Sequence, residues 1–208
     1  MGAGSYKLPT CWSRPDETST SYPGANSSYG HNSSSYSLYF YGTATSTLQI
    51  AVLPEIEGGV NGKRLALYAR NPSYYYNASF VVGYMTDPTD ASTFTQVGDP
   101  ISLSSSTSYG SEHYEFDFDN ITGNPQYIAI KSTSTSSSSY FVIDDVELKT
   151  IPTCFRPTMV TSVTDIAATT AKVSWTPNGT NQDHWDVYYC TSPYTAPTAT
   201  TTPSVEKL

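Results

Sequence analysis

The sequence predicts an all-β protein, and three observations carry that expectation. Only 13% of the 208 residues are charged, too few for the Glu- and Lys-rich surfaces on which helices depend. Polarity comes instead from 59 Ser and Thr beside 18 Tyr, and Thr and Tyr, with Val and Ile, suit a pleated strand. Short alternating segments also recur between Tyr36 and Leu148, bounded by Gly, Pro, Asn or Ser, at the spacing of an antiparallel sandwich.

Eight strands follow in order. Residues 36–41 and 48–53 flank Gly42 and a Thr/Ser run, and 64–69 follows the turn signal Asn61-Gly62. Residues 80–85 lie between Asn77 and Asp87-Pro88, a turn pair after which Asp90 caps a short segment leading into 94–97. In the sixth strand, 114–118, Tyr114, Phe116 and Phe118 alternate with Glu115, Asp117 and Asp119, the pattern of a half-buried strand with an acidic outer face. Strands at 127–131 and 140–148 enclose 132–139, almost pure Ser and Thr, which reads as a flexible hairpin loop. Eight strands without a credible helix fit two packed sheets, most simply a jelly roll.

Pro152 and Pro157 mark 151–157 as a linker. The first module then spans 1–150 and a second spans 158–208, with strands around Val160, around Val173-Ser174-Trp175 and at Trp185-Asp186-Val187-Tyr188-Tyr189, before the chain turns to Thr and Pro.

A net charge of -8 and a pI near 4.6 repel phosphates and argue against a nucleic-acid partner. No apolar run approaches the roughly 18 residues of a membrane-spanning helix. Cys11, Cys154 and Cys190 form no CxxC pair and no Cys/His zinc spacing. Sequons at Asn26, Asn32, Asn77, Asn120 and Asn178 are either glycosylated loops or the chance yield of a Ser/Thr-rich chain. The first residues lack the charged and apolar regions of a signal peptide, which suggests a removed signal or a piece of a longer multidomain protein.

Catalytic constellations are missing from the pattern. His31, His113 and His184 are far apart in sequence, and there is no HExxH, GxSxG or glycine-rich phosphate loop. Acidic pairs such as Asp16 with Glu17 and Glu55 with Glu57 suit turn caps and solvated strand faces better than glycosidase chemistry. The expectation is a non-enzyme. Two features stand out as candidate sites. Tyr74, Tyr75 and Tyr76 fall in a loop between strands, where aromatic faces can stack on sugar rings or anchor a protein; the plainer reading is one core residue between two rim residues. Asp144 and Asp145 interrupt an apolar strand. Unbroken alternation puts Asp144 with Val142, Val146 and Leu148 on the core side and Asp145 with Phe141, Ile143 and Glu147, and a buried carboxylate needs a cation or several donors.

Residues from about Cys11-Trp12-Ser13 to Leu148 resemble the cleaved-adhesin or choice-of-anchor domains, jelly rolls related to the MAM domain and found in secreted bacterial proteins. The stretches that carry the resemblance are Tyr36-Ser37-Leu38-Tyr39-Phe40, Val52-Leu53-Pro54-Glu55-Ile56, the segment from Met85-Thr86-Asp87-Pro88 to Phe94, and Phe141-Val142-Ile143-Asp144-Asp145-Val146-Glu147-Leu148. The region from Cys154 to Cys190 resembles the first half of a fibronectin type III domain, with Trp175 in the second strand and Trp185, Val187 and Tyr189 in the third. Against the first family, the opening strand with its Phe-Glu or Phe-Asp pair is missing. Against the second, the later strands are.

The resemblance implies a non-catalytic adhesion or ligand-binding module, extracellular or on the cell surface, monomeric within a longer chain and taking a glycan or a protein. The alternative is an accessory carbohydrate-binding or protease-associated domain of a secreted hydrolase. It also implies structural calcium, held at the sheet edge by Asp144 or, failing that, Asp145. The competing reading of Asp144 is a strand-end carboxylate held by backbone N–H groups. Cys11 and Cys154 bracket the sandwich and would close a disulfide in an oxidising compartment, leaving Cys190 free.

Overall fold

The computed structural model describes residues 7–15, 22–27, 29–33, 36–42, 48–73, 75–104, 111–151, 159–176, 185–187 and 205–207. The chain divides into two compact units, Met1–Ile151 and Pro152–Leu208.

The first unit is a sandwich of two antiparallel sheets. Its strands are β1 (Gly24–Asn26), β2 (Ser37–Tyr41), β3 (Ile50–Val52), β4 (Lys63–Arg70), β5 (Ala78–Met85), β6 (Thr95–Leu103), β7 (Glu112–Phe118), β8 (Tyr127–Ser132) and β9 (Tyr140–Thr150). One sheet runs β1-β2-β9-β4-β7 and the other β3-β8-β5-β6. The only helical pieces among the described residues of this unit are two single 3-10 turns, His31–Ser33 and Ala91–Thr93. Asp90 caps the latter, its side chain accepting the Ser92 N–H at 2.8 Å.

Alternation sets which side chains meet between the sheets. Leu38 and Phe40 of β2, Leu65, Leu67 and Ala69 of β4, Phe116 and Phe118 of β7 and Phe141 and Ile143 of β9 face Phe80, Val82, Ile128 and Ile130 of the second sheet. A phenylalanine stack ties the layers together. Phe40 and Phe141 lie opposite each other in register with ring centroids 4.5 Å apart, and Phe80 from the other sheet stacks on Phe141 at 5.4 Å. Truncating such a ring costs about 3–5 kcal/mol.

Three sequence expectations need correction. Residues 132–139 are neither a hairpin nor free of the body. β8 and β9 belong to different sheets, so the segment crosses between layers. Ser132, Ser134 and Ser139 are buried: Thr133 donates its N–H to the Ser79 carbonyl, and the Ser134 and Ser139 hydroxyls donate to the carbonyls of Ser79 and Asn77. Strand β6 does not stop at Val97. It continues through Gly98-Asp99-Pro100 to Leu103, with a register shift opposite Phe80 and Val82. Pro100 is tolerated because β6 is an edge strand.

The third correction concerns β9. Ala66 faces Glu147 and Tyr68 faces Asp144, with a register shift between them, so two residues, Asp145 and Val146, oppose Leu67 alone. This is a β-bulge, and Asp145 takes the left-handed conformation at φ 47° that Asp tolerates better than most side chains. Phe141 and Ile143 therefore face the core before the bulge and Val146 packs against it afterwards. Asp144 lies on the outer face, half-buried.

In the second unit β10 (Met159–Thr164) pairs with β11 (Lys172–Thr176), and β12 (Trp185–Val187) pairs with β13 (Val205–Lys207), both antiparallel. The Trp175 and Trp185 rings meet edge to face at 5.8 Å.

Candidate ligand-binding face

The outer face of the five-stranded sheet receives every side chain that alternation keeps out of the core. At the β1-β2-β9 end the largest of these are tyrosines. Tyr39 and Tyr41 alternate with core-facing Leu38 and Phe40, and β2 pairs with β9 so that Tyr41 lies directly opposite Tyr140. Tyr22 joins from the segment before β1, where the Arg14 guanidinium holds the Pro23 carbonyl through its Nε at 2.8 Å. The rings lie close together: Tyr22 is 5.8 and 5.6 Å from Tyr39 and Tyr41, and Tyr140 is 5.6, 6.4 and 6.3 Å from Tyr39, Tyr41 and Tyr29. The Arg70 guanidinium, from β4, sits 5.4 Å from the Tyr29 ring centre, a cation–π contact.

Tyr29 and Tyr41 are each 41% exposed, so the cluster presents ring faces and hydroxyls to solvent. Burial, then the neighbouring phenols Tyr140, Tyr22, Tyr29 and Tyr41, push the Tyr39 phenol well above its ordinary range. Burial and then Tyr29 also raise Tyr140. These two phenols stay neutral near pH 7 and act as hydrogen-bonding hydroxyls.

The Tyr140 hydroxyl donates to the Pro72 carbonyl at 3.1 Å, joining the cluster to the root of the β4–β5 loop. That loop is held by buried amide and hydroxyl groups. Asn71 Nδ2 donates to the carbonyls of Tyr76 (2.7 Å) and Leu103 (3.2 Å), and its Oδ1 accepts the Ser73 N–H at 2.9 Å. Ser73 Oγ in turn accepts the N–H groups of Tyr75 and Tyr76, both at 3.3 Å. A pinned backbone thus carries two outward rings, Tyr75 at 84% and Tyr76 at 43% exposure, in edge contact at 6.5 Å. Neither is a core residue. Tyr74 lies outside the described residues.

Beyond the bulge the face becomes charged. Asp144 Oδ2 accepts the His31 N–H at 2.7 Å and its Oδ1 accepts the Asp145 N–H at 2.9 Å. Asp145 Oδ2 accepts from His31 Nδ1 at 2.7 Å, and the His31 ring stacks on Tyr68 at 3.8 Å. Arg64 bonds Asp117 through Nε and Nη2 (2.5 and 2.7 Å) and Glu115 through Nη1 (2.8 Å).

Calcium requires six to eight oxygen ligands. Among the described residues no three His, Cys, Asp or Glu side chains converge, and both carboxylates of the pair already accept hydrogen bonds from His31. Asp144 is held by two backbone N–H groups, those of His31 and Asp145, the arrangement of the other sequence reading. Cys11 is exposed; Cys154 and Cys190, and with them the expected disulfide, lie outside the described residues.

Sequence reasoning missed the tyrosine cluster. Its local signal was present in Tyr39 and Tyr41, out of phase with Leu38 and Phe40, but only the β2–β9 pairing brings in Tyr140.

No family profile matches the sequence, and no curated protein does. Solved structures do match. The K1 cleaved adhesin domain of Lys-gingipain from Porphyromonas gingivalis W83 is similar over 71% of this chain and 96% of its own, with a TM-score of 0.53 and 16% identity. The K3 domain of the same protein is similar over 69% and 94%, at 0.48 and 16%. The CBM22-1 xylan-binding domain of Paenibacillus barcinonensis Xyn10C is similar over 70% and 88%, at 0.45 and 10%. The first of these shows that the chain has an adhesin-like β-sandwich.

Proposed function

We propose that the first unit is a non-catalytic glycan-binding adhesion module, and that its binding surface is the tyrosine face of the five-stranded sheet with Tyr75 and Tyr76 at its border. The observation that carries this reading is the cluster itself. Tyr39, Tyr41 and Tyr140 on the sheet and Tyr22 and Tyr29 beside it neighbour one another, and Tyr29 and Tyr41 are exposed. Sugar C–H faces stack on such rings while the phenol hydroxyls bond sugar hydroxyls, at small entropic cost because each ring turns about only two bonds.

The gingipain domain with the shared fold is named as an adhesin domain, which supports the same use here, outside the cell or on its surface. The second unit, read as fibronectin-like, serves as a spacer. A sandwich related to the MAM domain within a larger secreted protein fits both roles, including that of an accessory domain beside a hydrolase.

A glycan array followed by calorimetry tests the proposal. Tyr41→Ala and Tyr75→Ala should each weaken a detected glycan by about tenfold, with the melting temperature unchanged for Tyr75→Ala. A blank array, unaltered binding in both variants, or a reproducible hydrolysis rate would each overturn it.

A further inference from the structure

Among the described residues, strand β9 is paired on both sides over only its first half. β2 accompanies it from Tyr140 to Ile143, whereas β4 follows it to Thr150. Among the described residues no strand lies on the β2 side of residues 145–150. The open side has hydrogen-bonding groups aimed at it. Ile151 donates its N–H to Gly62 on the β4 side at 2.9 Å, and the direction of these groups alternates along a strand. Val146, Leu148 and Thr150 therefore point their N–H and C=O groups outward. Leu148 is 39% exposed, and a 290 Å³ groove lined by Pro9, Trp12, Tyr36, Asp145 and Val146 lies at the start of this edge.

We propose that this open edge pairs with the same edge of a second copy of the chain, antiparallel about a two-fold axis at Leu148. An isologous contact must be self-complementary, and the sequence Val146-Glu147-Leu148-Lys149-Thr150 is. In this register Leu148 meets Leu148 of the second copy and exchanges both backbone bonds with it, Val146 meets Thr150, and Glu147 meets Lys149 twice. Within one chain Lys149 Nζ already bonds Glu147 Oε2 at 2.8 Å, so pairing only redirects these ions across the strands.

Alternative registers are worse. Centring on Val146 sets Asp145 against Glu147, like charges that repel across a ladder. Centring on Thr150 sets Leu148 against Pro152, which has no N–H to give. Centring on Glu147 sets Glu147 against its own copy and centring on Lys149 sets Lys149 against its own, like charges again, and centres midway between two residues put the outward groups out of phase. The chain expected from sequence to be a monomer thus carries a weak dimerisation edge of its own, independent of the tyrosine face.

Sedimentation of the full chain over rising concentration tests this. The wild type should pass from monomer to dimer below about 1 mM. Glu147→Lys, which sets Lys against Lys, should weaken the dimer about tenfold, and Glu147→Lys with Lys149→Glu should restore it. Leu148→Pro removes only an outward N–H and should abolish pairing while sparing the β4 ladder, which amide exchange at Leu65 and Leu67 would verify. A synthetic peptide of residues 145–151 should compete. A monomer at all concentrations, or a dimer indifferent to both the single and the double charge change, overturns the proposal.

Discussion

Gln49 should be a keystone of the binding face although it touches no ligand. It is fully buried, and its amide completes the end of β2: Oε1 accepts the Tyr41 N–H at 2.9 Å and Nε2 donates to the Tyr41 carbonyl at 2.6 Å. Gln49→Met preserves the volume of the side chain and deletes both bonds. Each backbone group left buried and unpaired costs about 1–3 kcal/mol, so the variant should lose about 2–6 kcal/mol. For a domain of this size that is a fall of the order of 10 °C in melting temperature. Urea unfolding followed by tyrosine fluorescence measures it, and glycan affinity should fall too as Tyr41 loses its anchor. Gln49→Glu sharpens the test. Only the protonated acid can donate to the Tyr41 carbonyl, so burial raises its folded-state pKa. Its stabilisation is then present below the ordinary carboxylate range and is lost as pH rises through the folded value. If Gln49→Met stays within about 1 kcal/mol of wild type, or Gln49→Glu shows no pH dependence, the amide is not what holds the end of β2.

Three further outcomes are expected. Because the Tyr39 phenol is raised in the folded state, its contribution to stability is complete below its unfolded pKa of about 10 and declines as pH rises above that; Tyr39→Phe should flatten the alkaline loss in a pH-resolved melt. Several millimolar calcium should leave the melting temperature unchanged, since His31 and backbone donors already occupy Asp144 and Asp145; a rise that chelator reverses and Asp144→Ala abolishes would restore the ion. A fragment of residues 152–208 should bind a hydrophobic dye and melt without cooperativity, because Val163, Ile166 and Val173 are 51, 74 and 45% exposed and two-stranded sheets are marginal; a sharp melt would contradict this.

Where one strand alternates without interruption, its sequence was sufficient. Tyr114, Phe116 and Phe118 show the inner face of β7 directly, and the acidic residues between them its outer face. What escaped was nonlocal or broke the period. Asp144-Asp145 looks like continuous alternation until the bulge opposite Leu67 adds a residue and exchanges the faces. Gly98-Asp99-Pro100 carries the residues of a turn, and only the edge position of β6 makes it strand. The 132–139 run has no apolar residue to mark it as buried; its hydroxyls reach Ser79 and Asn77, 55 and 62 residues away. For the site, Tyr75 and Tyr76 were visible as a run, whereas the Tyr39–Tyr140 contact depends on which strands become neighbours.

The position of β9 has a mechanical consequence. It is the last strand of its unit, it leads directly into the second unit, and its first residue, Tyr140, belongs to the tyrosine face. Tension between a ligand held there and an anchor beyond Ile151 would run along the strand axis. β9 is flanked by β2 at one end and by β4 along most of its length, so such a pull shears many hydrogen bonds together instead of peeling them singly. A tether attached through β9 therefore resists force in the direction in which a sheet is strongest, and a pull through the three-residue edge strand β1 would meet far less resistance.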